Sequence, residues 1–352
     1  MTVKSISTTR SRLVISRRSL TKGGLAALGL GATGLYPRLG GAQAKTTTVT
    51  MQLGWLAGDN QIGEVVAKQL GYFEAEKIDL VINAGGPNID GVAIVASGRA
   101  DIGQVSSSPS LMLAASQSIP TQCFAVGCQQ HPYSFISLKK NPVHKPEDMI
   151  GKKVGVQATG KILLSALLRK NNVPEDKVEV VVVGADMTPL LTGQVDVFTG
   201  WLTNTTAMRV LGDDYVAMRL WDEGVQLYGL PYYATKDTLT KNLDVIVAFT
   251  RASSKGWAYA YQNPEQAVDL LLKEYPNLVK ADENVAVKTL NTYVFQATTK
   301  KDGWGTFSPA VWQGQIDLYD QLKQFPAAKP KLEDVISTAV LDATKDTRPK
   351  LG

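Results

Sequence analysis

The segments S-G-R-A-D-I at residues 97–102 and T-G-Q-V-D-V at residues 192–197 share one pattern of residue types. Each has a small residue, Gly, a polar residue, an Ala or aliphatic residue, Asp and an aliphatic residue. Each also opens a predicted strand that ends in a polar loop. Both strands come third in a series of strands and helices, so the repeated pattern indicates two similar α/β lobes.

Strands and helices alternate on both sides of these segments. In the first half, strands are predicted at 47–54, 77–82, 100–105 and 121–126, with helices at 61–70, 89–96 and 110–116. In the second half, strands are predicted at 152–157, 177–183 and 195–199, with helices at 161–170 and 188–192. Such alternation is typical of parallel sheets with helices on both faces. The sequence therefore predicts an α/β fold.

Two extended aromatic runs, at residues 131–138 and 227–233, separate the halves. They predict that the chain crosses between lobes near His131–Ile136 and again near Gly229–Ala234. The predicted lobe 1 comprises residues 45–133 plus 235–352, and the predicted lobe 2 comprises residues 134–234. The mostly helical chain after residue 237 is expected to pack on lobe 1. Two lobes joined by two crossings form a cleft that closes by hinge motion.

The first 44 residues have the pattern of a twin-arginine signal peptide. S-R-R-S-L-T-K at residues 16–22 precedes an apolar run at 23–35, and A-Q-A at 42–44 resembles a cleavage site. The apolar run is too short to cross a bilayer core of roughly 30 Å. We therefore predict a mature chain that begins near Lys45 and is exported to the periplasm.

The charge balance changes once this leader is set aside. Seven of the 37 basic residues and none of the 32 acidic residues lie in residues 1–44, which leaves 30 basic and 32 acidic residues. The net charge of −2 favours neither nucleic acid nor an anionic membrane surface as a partner.

Cysteines and histidines do not indicate a disulfide scaffold or a metal centre. Cys123 and Cys128 are five residues apart on a predicted strand, so they point to opposite faces at roughly 16 Å, beyond disulfide reach. His131 and His144 are separated in sequence, without a cluster of cysteines or carboxylates beside them. We predict that the protein holds no metal.

The segment G-V-Q-A-T-G-K at residues 155–161 nearly matches a phosphate-binding loop. Its eighth position is Ile162, which lacks the hydroxyl that holds Mg²⁺, so the segment argues against nucleotide hydrolysis. Free N–H groups at the start of the following helix still favour a polar or anion-binding site. The chain has no G-x-S-x-G motif, and the serines at 106–108 have no evident histidine partner. We predict no catalytic residues and no cofactor.

In open α/β sheets, ligands bind beyond the carboxyl ends of the strands. The predicted strand ends and helix starts supply indoles, amides, hydroxyls and one carboxylate, and the candidate ligand-binding residues are Trp55, Asn60, Gln61, Ser106, Ser107, Gln157, Thr159, Gly160, Asp186, Trp201 and Asn204. The two indoles are suited to stacking on a flat ligand, with core packing as the alternative interpretation for each. The serines have helix capping as their alternative role.

The same loops lack arginine, the favoured donor for planar anions. Amides pair with both donors and acceptors. The residues therefore favour a flat, uncharged nitrogen heterocycle such as a pyrimidine. A small anion (an alkanesulfonate, taurine or nitrate) on the Thr159–Gly160 helix start is the alternative.

The stretch G-W-L-A-G-D-N-Q-I-G from Gly54, with segments at 97–103, 131–138 and 145–156, resembles exported solute-binding proteins of ABC importers. The similar group handles nitrate, sulfonate, taurine and the thiamine pyrimidine precursor. The resemblance implies the type II periplasmic binding protein fold, with two α/β lobes that close on a small molecule. It also implies an inner-membrane permease as partner, and we expect a monomer.

Relatives that bind the pyrimidine precursor have a Trp followed by P-N-x-x-H-x-G. Here Trp55 and Gly63 remain, Asn60 is near, and Gln61 stands where the His would be. A related eukaryotic branch makes the pyrimidine from a bound cofactor, using that His and a cysteine-rich motif. Gln61 and the lack of clustered cysteines argue against such an enzyme. A sensor that signals to a membrane kinase is a further alternative to the transport receptor.

Overall fold

A computed structural model describes residues 46–87 and 89–352 of the chain. The predicted signal peptide at residues 1–44 lies outside the described residues. The strands are β1 Thr47–Leu53, β2 Ile78–Asn83, β3 Ile102–Gln104, β4 Thr121–Cys128, β5 Tyr133–Leu138, β6 Lys153–Val156, β7 Glu179–Val182, β8 Val197–Trp201, β9 Tyr215–Arg219 and β10 Gly229–Thr235.

The helices follow the predicted rhythm in both halves and then dominate the C-terminal part. They are α1 Ile62–Gln69, α2 Tyr72–Ala75, α3 Gly91–Ala96, α4 Pro109–Ser116, α5 Lys161–Lys170, α6 Thr188–Leu191, α7 Thr205–Met208, α8 Lys236–Lys241, α9 Leu243–Gln262, α10 Pro264–Glu274, α11 Lys280–Val294, α12 Ala297–Asp302, α13 Pro309–Gln321, α14 Leu332–Val335 and α15 Ala339–Thr344. Single 3₁₀ turns occur at Asp59–Gln61, Pro146–Met149, Ala158–Gly160, Glu175–Lys177 and Arg209–Leu211.

The strands form two five-stranded sheets, which confirms the predicted two-lobed α/β architecture. The first sheet has the order β2-β1-β3-β10-β4 and the second has the order β7-β6-β8-β5-β9. In each sheet the strand in the fourth position runs against the other four. The expectation of purely parallel sheets is therefore wrong. The reversed strands, β5 and β10, both enter their sheet from the other lobe, which sets their opposite direction.

Both crossings between the sheets begin earlier in the chain than the aromatic runs suggested. The chain leaves the first sheet after Cys128 and enters the second at Tyr133. It leaves the second sheet after Arg219 and re-enters the first at Gly229, so the whole of β10 belongs to the first sheet. The run at 229–234, predicted to cross between lobes, is a fully buried strand of the first lobe.

Both faces of the first sheet are covered by apolar side chains. Tyr232 and Tyr233 are adjacent on β10 and lie in different hydrophobic cores, as do Cys123 and Cys128 on β4. The alternation follows from the two-residue repeat of a strand. Both cysteines are free and buried.

One of these cores extends from the first sheet to the second. Helix α13 contributes Trp312, Ile316 and Tyr319 to it, next to residues of both sheets. Arg169 on α5 donates from Nη1 to the carbonyl oxygens of Leu322 (2.6 Å) and Lys323 (2.9 Å), just beyond α13. The chain after residue 235 thus contacts the second sheet's helices as well as the first lobe. The lobe boundaries, taken as moving units, stay a prediction.

Among the described helices, none combines the length and the apolar character needed to cross a membrane.

Helices α1 and α9 approach closely because glycines face each other. A Cβ on Gly256 would lie 1.9 Å from the Gly63 carbonyl oxygen and 2.9 Å from the Ala67 Cβ. A Cβ on Gly63 would lie 2.1 Å from Cδ1 of Trp257. The two glycines therefore set the spacing of the helix pair that covers the first sheet.

We predict that Gly256→Ala lowers the free energy of unfolding by about 1–3 kcal/mol, because the added methyl group overpacks this contact. Chemical denaturation of the purified protein measures the change. Gly314→Ala is the matched control, since a Cβ there meets no atom within 4 Å and the same replacement should favour helix α13. Equal effects of the two substitutions would contradict the proposed close packing.

Candidate ligand-binding cleft

A cavity of about 700 Å³ lies beyond the carboxyl ends of β1, β3, β6 and β8, with walls from both lobes. Ten of the eleven residues predicted from sequence line it. They are Trp55, Asn60, Gln61, Ser106, Ser107, Gln157, Thr159, Gly160, Trp201 and Asn204. They come together because parallel strands end at the same sheet edge, where the loops carry polar side chains.

Asp186 is the predicted residue that lies apart from this cavity. Its side chain is exposed, and its Oδ1 accepts a hydrogen bond from the Thr188 N–H at 3.0 Å. Hydrogen bonds from Thr188 lower the pKa of this carboxyl below its ordinary value. The loop position was correct, but the carboxylate serves the start of α6. Its neighbours Ala185 and Met187 line the cavity instead.

Gln61 forms part of the cavity wall, but its amide is engaged within the protein. It is 2% exposed; its Oε1 accepts from the Gly58 N–H (3.1 Å), and its Nε2 donates to Gln104 Oε1 (2.8 Å). Gln104 in turn donates from Nε2 to the Tyr232 hydroxyl (2.7 Å) and to the Asn60 carbonyl oxygen (3.3 Å). Gln61 therefore fixes the loop that carries Asn60.

The same hydrogen-bonded chain continues into the core at Glu64. This carboxylate is fully buried, and its Oε1 accepts from Trp257 Nε1 at 3.1 Å. Tyr232 also contacts it, whereas Oε2 has no hydrogen-bond partner. Burial raises the pKa of Glu64 from 4.5 to about 7. A group of this kind costs stability when it ionises.

On the second lobe, Gln157 is likewise committed to local bonds. Its Nε2 donates to the carbonyl oxygens of Thr199 (2.9 Å) and Gly184 (3.2 Å), and its Oε1 accepts from Thr199 Oγ1 (3.2 Å). The amide joins the ends of β6 and β8. It shapes the cavity wall rather than offering a free donor.

Two hydrogen-bond donors face the cavity from the crossing and from β5. The Tyr133 N–H donates to His131 Nδ1 (3.2 Å), which leaves the proton on Nε2. This buried Nε2 lies near the main chain of Ser106 but makes no hydrogen bond of good geometry. Burial lowers the pKa of His131 to about 3, so the ring is neutral. The Tyr133 hydroxyl is also buried without a partner. Both residues line the cavity.

Gly160 makes room for that hydroxyl. A Cβ on Gly160 would lie 2.2 Å from the Tyr133 hydroxyl oxygen. Helix α5 begins at the next residue, and Thr159 is exposed beside it. The partly positive amino end of α5 thus borders the cavity on the same side as His131 and Tyr133.

The two indoles differ in how they are held. Trp201 meets the His131 ring edge to face, with centroids 5.3 Å apart at 73°. The main chain of Trp55 accepts from the Gly85 N–H at 2.9 Å, while its partly exposed side chain lines the cavity.

Asn204 caps helix α7, since its Oδ1 accepts from the Ala207 N–H at 3.3 Å. It therefore has a structural role besides any contact with a ligand.

A second group of polar atoms in the lining consists of acceptor oxygens. Asp59 and Asn60 on the 3₁₀ turn and Glu283 on α11 line the cavity. Asp59 Oδ2, Asn60 Oδ1 and Glu283 Oε2 are buried without hydrogen-bond partners. Among the described residues that line the cavity, neither arginine nor lysine occurs. The lining thus carries unpartnered acceptors on the 3₁₀ turn and α11, and neutral donors on His131 and Tyr133.

Sequence reasoning missed several residues of this site, namely Asp59, Gln104, His131, Tyr133 and Glu283. Asp59 and Gln104 stand beside predicted residues, and a search for polar groups at strand ends would have included them. His131 was considered only as a metal ligand. No local signal marks Glu283, which reaches the cavity from the C-terminal helices. Within the described ranges, no three histidine, cysteine or acidic residues are grouped to hold a metal ion.

Comparisons with known proteins identify the family and several relatives of this chain. A family model described as NMT1/THI5 like matches residues 59–267. A 4-amino-5-hydroxymethyl-2-methylpyrimidine phosphate synthase from Legionella pneumophila is 25% identical over 240 residues, covering 65% of this chain and 74% of that protein. A formylaminopyrimidine-binding protein from Halalkalibacterium halodurans is 24% identical over 291 residues, covering 79% of this chain and 87% of that protein.

Solved structures show the same fold. The periplasmic aliphatic sulphonate binding protein from Escherichia coli superposes with a TM-score of 0.61 at 18% identity, over 82% of this chain and 92% of that one. The predicted type II periplasmic binding protein fold is confirmed.

We predict that Glu64→Gln makes the protein more stable at pH 8 and leaves its stability near pH 4.5 little changed. Because its pKa is raised on folding, Glu64 contributes to the free energy of unfolding. This contribution is fully present below about pH 4.5 and is lost as the pH rises through 7. A shift from 4.5 to about 7 corresponds to about 3 kcal/mol. The pKa values of Asp59 and Glu283 are raised as well. The Glu64→Gln variant should therefore remove only part of the pH dependence of the free energy of unfolding.

Denaturant unfolding from pH 4.5 to 8 measures this effect. Glu265→Gln is the control, because that carboxylate is exposed and pairs with Lys288 at 3.0 Å. A Glu64→Gln variant less stable than the parent at pH 8 would show that the ionised carboxylate is a net stabilising group.

Proposed function

Since the chain belongs to the NMT1/THI5-like family, we propose that it is the solute-binding receptor of an ABC importer. Its ligand is a small, flat nitrogen heterocycle of the pyrimidine kind, bound by closure of the two lobes. The observation that carries this proposal is the interlobe cavity of about 700 Å³, which has two indoles in its walls and lacks lysine and arginine among its described lining residues. A volume of this order suits a small organic molecule.

The chemistry of the walls supports a heterocycle over an anion. Two carboxylates at the first-lobe end would repel a sulfonate or nitrate, and no basic side chain in the described lining offsets them. The amino end of α5 is the one favourable feature for an anion. Heterocycles with both donors and acceptors match the two ends of the cavity.

Contacts across the cleft support binding by closure. Asp282 on α11 accepts from Thr205 Oγ1 at its main-chain oxygen (2.7 Å), and its carboxylate pairs with Arg209 Nη1 (2.9 Å). Thr206 Oγ1 lies 3.3 Å from the same carboxylate. These contacts join the second lobe to α11, and Thr206 and Glu283 beside them line the cavity.

The predicted signal peptide supports export to the periplasm by the twin-arginine route. The partner of the exported receptor is a permease in the inner membrane. A monomer is sufficient for this role, because both walls of the cavity come from one chain. The anion-binding receptor and the sensor stay as alternatives. Neither requires a different fold.

An enzyme of pyrimidine synthesis is the second function class, because one relative carries the name of a synthase. The position expected to hold the histidine of that chemistry is Gln61, whose amide is bonded to Gly58 and Gln104. A glutamine amide does not titrate near neutral pH, so Gln61 cannot act as the acid or base that a histidine would supply. The residues at the site therefore support a receptor.

We predict that Trp55→Ala weakens binding of a methyl-aminopyrimidine at least tenfold, about 1.4 kcal/mol. Loss of stacking on one face accounts for roughly 1–3 kcal/mol. Isothermal titration calorimetry measures the affinity. Trp221→Ala, which removes an indole outside the cavity lining, is the control. Tight binding of taurine, nitrate or an alkanesulfonate with no response to pyrimidines would favour the anion instead.

Asn204→Ala is likewise expected to weaken binding at least tenfold. Because Asn204 also caps α7, its loss lowers stability as well as affinity. Asn204→Ser separates the roles, since a serine keeps the cap but not the amide. Full affinity in the serine variant would assign Asn204 to the cap alone.

We also expect the purified protein to release a bound pyrimidine chemically unchanged. Mass spectrometry of the ligand after prolonged incubation, with and without candidate cofactors and ATP, tests this. Conversion of the compound, abolished by Gln61→Ala or Lys161→Ala, would establish the enzyme class in place of the receptor.

A further inference from the structure

The first-lobe end of the cavity has a charge that no side chain around it neutralises. Asp59, Asp90 and Glu283 are the acidic residues of the described lining, and lysine and arginine are absent from it. Asp90 is engaged, since its Oδ1 accepts from the Ala93 N–H at 3.0 Å and caps α3. The main chain of residues 59 and 60 hydrogen-bonds to the Asp59 carboxylate, which leaves Oδ2 of Asp59 and Oε2 of Glu283 as the oxygens without partners.

Glu283 is placed for contact with a ligand. It lies in the first turn of α11, which packs against the 3₁₀ turn that carries Asp59. Its side chain is 4% exposed, borders the cavity, and leaves Oε2 without a partner. A buried carboxylate oxygen without a donor is costly unless a bound group supplies one. The same holds for Oδ2 of Asp59.

Neighbouring groups do not supply the missing positive charge. Asp282 precedes Glu283 and is already paired at 2.9 Å with Arg209, which begins the 3₁₀ turn after α7. Asn60 and Asn284 present Oδ1 atoms that are also buried and unpartnered. From β4, the buried Cys128 thiol faces Asp59, whose charge helps to raise the thiol pKa.

The protonation equilibria agree with this geometry. Burial, together with the Glu283 charge, raises the pKa of Asp59 to about 7. Burial, together with the Asp282 charge, raises the pKa of Glu283 to about 7. Each carboxylate is thus short of a positive neighbour. A cation at this end of the cavity would stabilise the ionised form of both carboxylates and lower their pKa values.

We propose that Asp59 and Glu283 form a subsite for a cationic nitrogen on the ligand, an ammonium or amidinium group. The proposal rests on the proposed function, because the remainder of the ligand occupies the same cavity as a flat heterocycle. It refines the uncharged heterocycle inferred from sequence. The ring stacks on the indoles, while a positively charged substituent donates to the two carboxylates.

The neutral donors of the lining complement this subsite. His131 Nε2 and the Tyr133 hydroxyl offer neutral donors, and the amino end of α5 lies beside them. These groups suit the acceptor nitrogens of a ring rather than a cation. The ligand is therefore oriented with its cationic substituent toward α11.

Two compounds that differ in one group test the subsite. They are 4-amino-5-aminomethyl-2-methylpyrimidine, with an ammonium group, and 4-amino-5-hydroxymethyl-2-methylpyrimidine, with a neutral hydroxyl. Calorimetry on the purified protein at pH 8 should show the aminomethyl compound bound at least tenfold more tightly. In Glu283→Gln this preference should fall at least tenfold, while affinity for the hydroxymethyl compound changes by less than about threefold.

Binding of the hydroxymethyl compound shows that the Glu283→Gln variant is folded. Glu265→Gln, an exposed carboxylate on α10, is the matched control and should keep the preference. Equal affinity of the parent protein for both compounds would overturn the subsite. Calcium or magnesium binding that displaces the aminomethyl compound and is lost in Glu283→Gln would also overturn it, in favour of a metal.

A second matched pair keeps the subsite testable if the heterocycle proposal fails. Taurine and isethionate differ by the same exchange of ammonium for hydroxyl on a sulfonate. One outcome would be that neither pyrimidine binds, while taurine binds tenfold better than isethionate to the parent protein but not to Glu283→Gln. This outcome would support the cation subsite and contradict the proposed heterocycle ligand. If sulfonates bind without that preference, or if none of the four compounds binds, both proposals are overturned.

Discussion

The cavity depends on two strands that run against their sheets. β5 and β10 each arrive from the opposite lobe and take the fourth position in the sheet that they join. This arrangement leaves the carboxyl ends of the parallel strands of both lobes facing each other across the crossings. It also places His131, on the first crossing, and Leu230, on β10, in the cavity wall. The ligand site and the connection between the lobes are therefore built from the same residues.

Three amides in the wall are engaged within the protein, and this is why the buried polar atoms without partners are informative. The side-chain amides of Gln61, Gln104 and Gln157 form hydrogen bonds that hold strand ends and loops together. The unpartnered groups are of two kinds, namely carboxylate and amide oxygens on the 3₁₀ turn and α11, and neutral donors on His131 and Tyr133. A cavity that is polarised in this way selects the orientation of its ligand as well as its charge.

The hydrogen-bonded chain from Gln61 to Glu64 links the cavity wall to the packing of α1 on α9. Gly63 and Gly256 allow those helices to approach, and Trp257 fills the space beside Gly63 while donating to Glu64. The loop that carries Asp59 and Asn60 thus rests on a rigid helix pair. A buried, partly satisfied carboxylate is the cost of this rigidity.

The amino-acid sequence by itself determined the α/β class, the two lobes and ten of the residues around the cavity. Strand and helix periods are local properties, and polar residues at the ends of parallel strands must meet at one sheet edge. The sequence did not determine the direction of β5 and β10, because the fully buried aromatic run of β10 has the same appearance as an extended linker. It also left Asp186 among the ligand candidates, although that side chain turns to the start of α6. Only the tertiary structure brought Glu283 to Asp59, since residues more than 200 positions apart become neighbours through the packing of α11 on the first lobe.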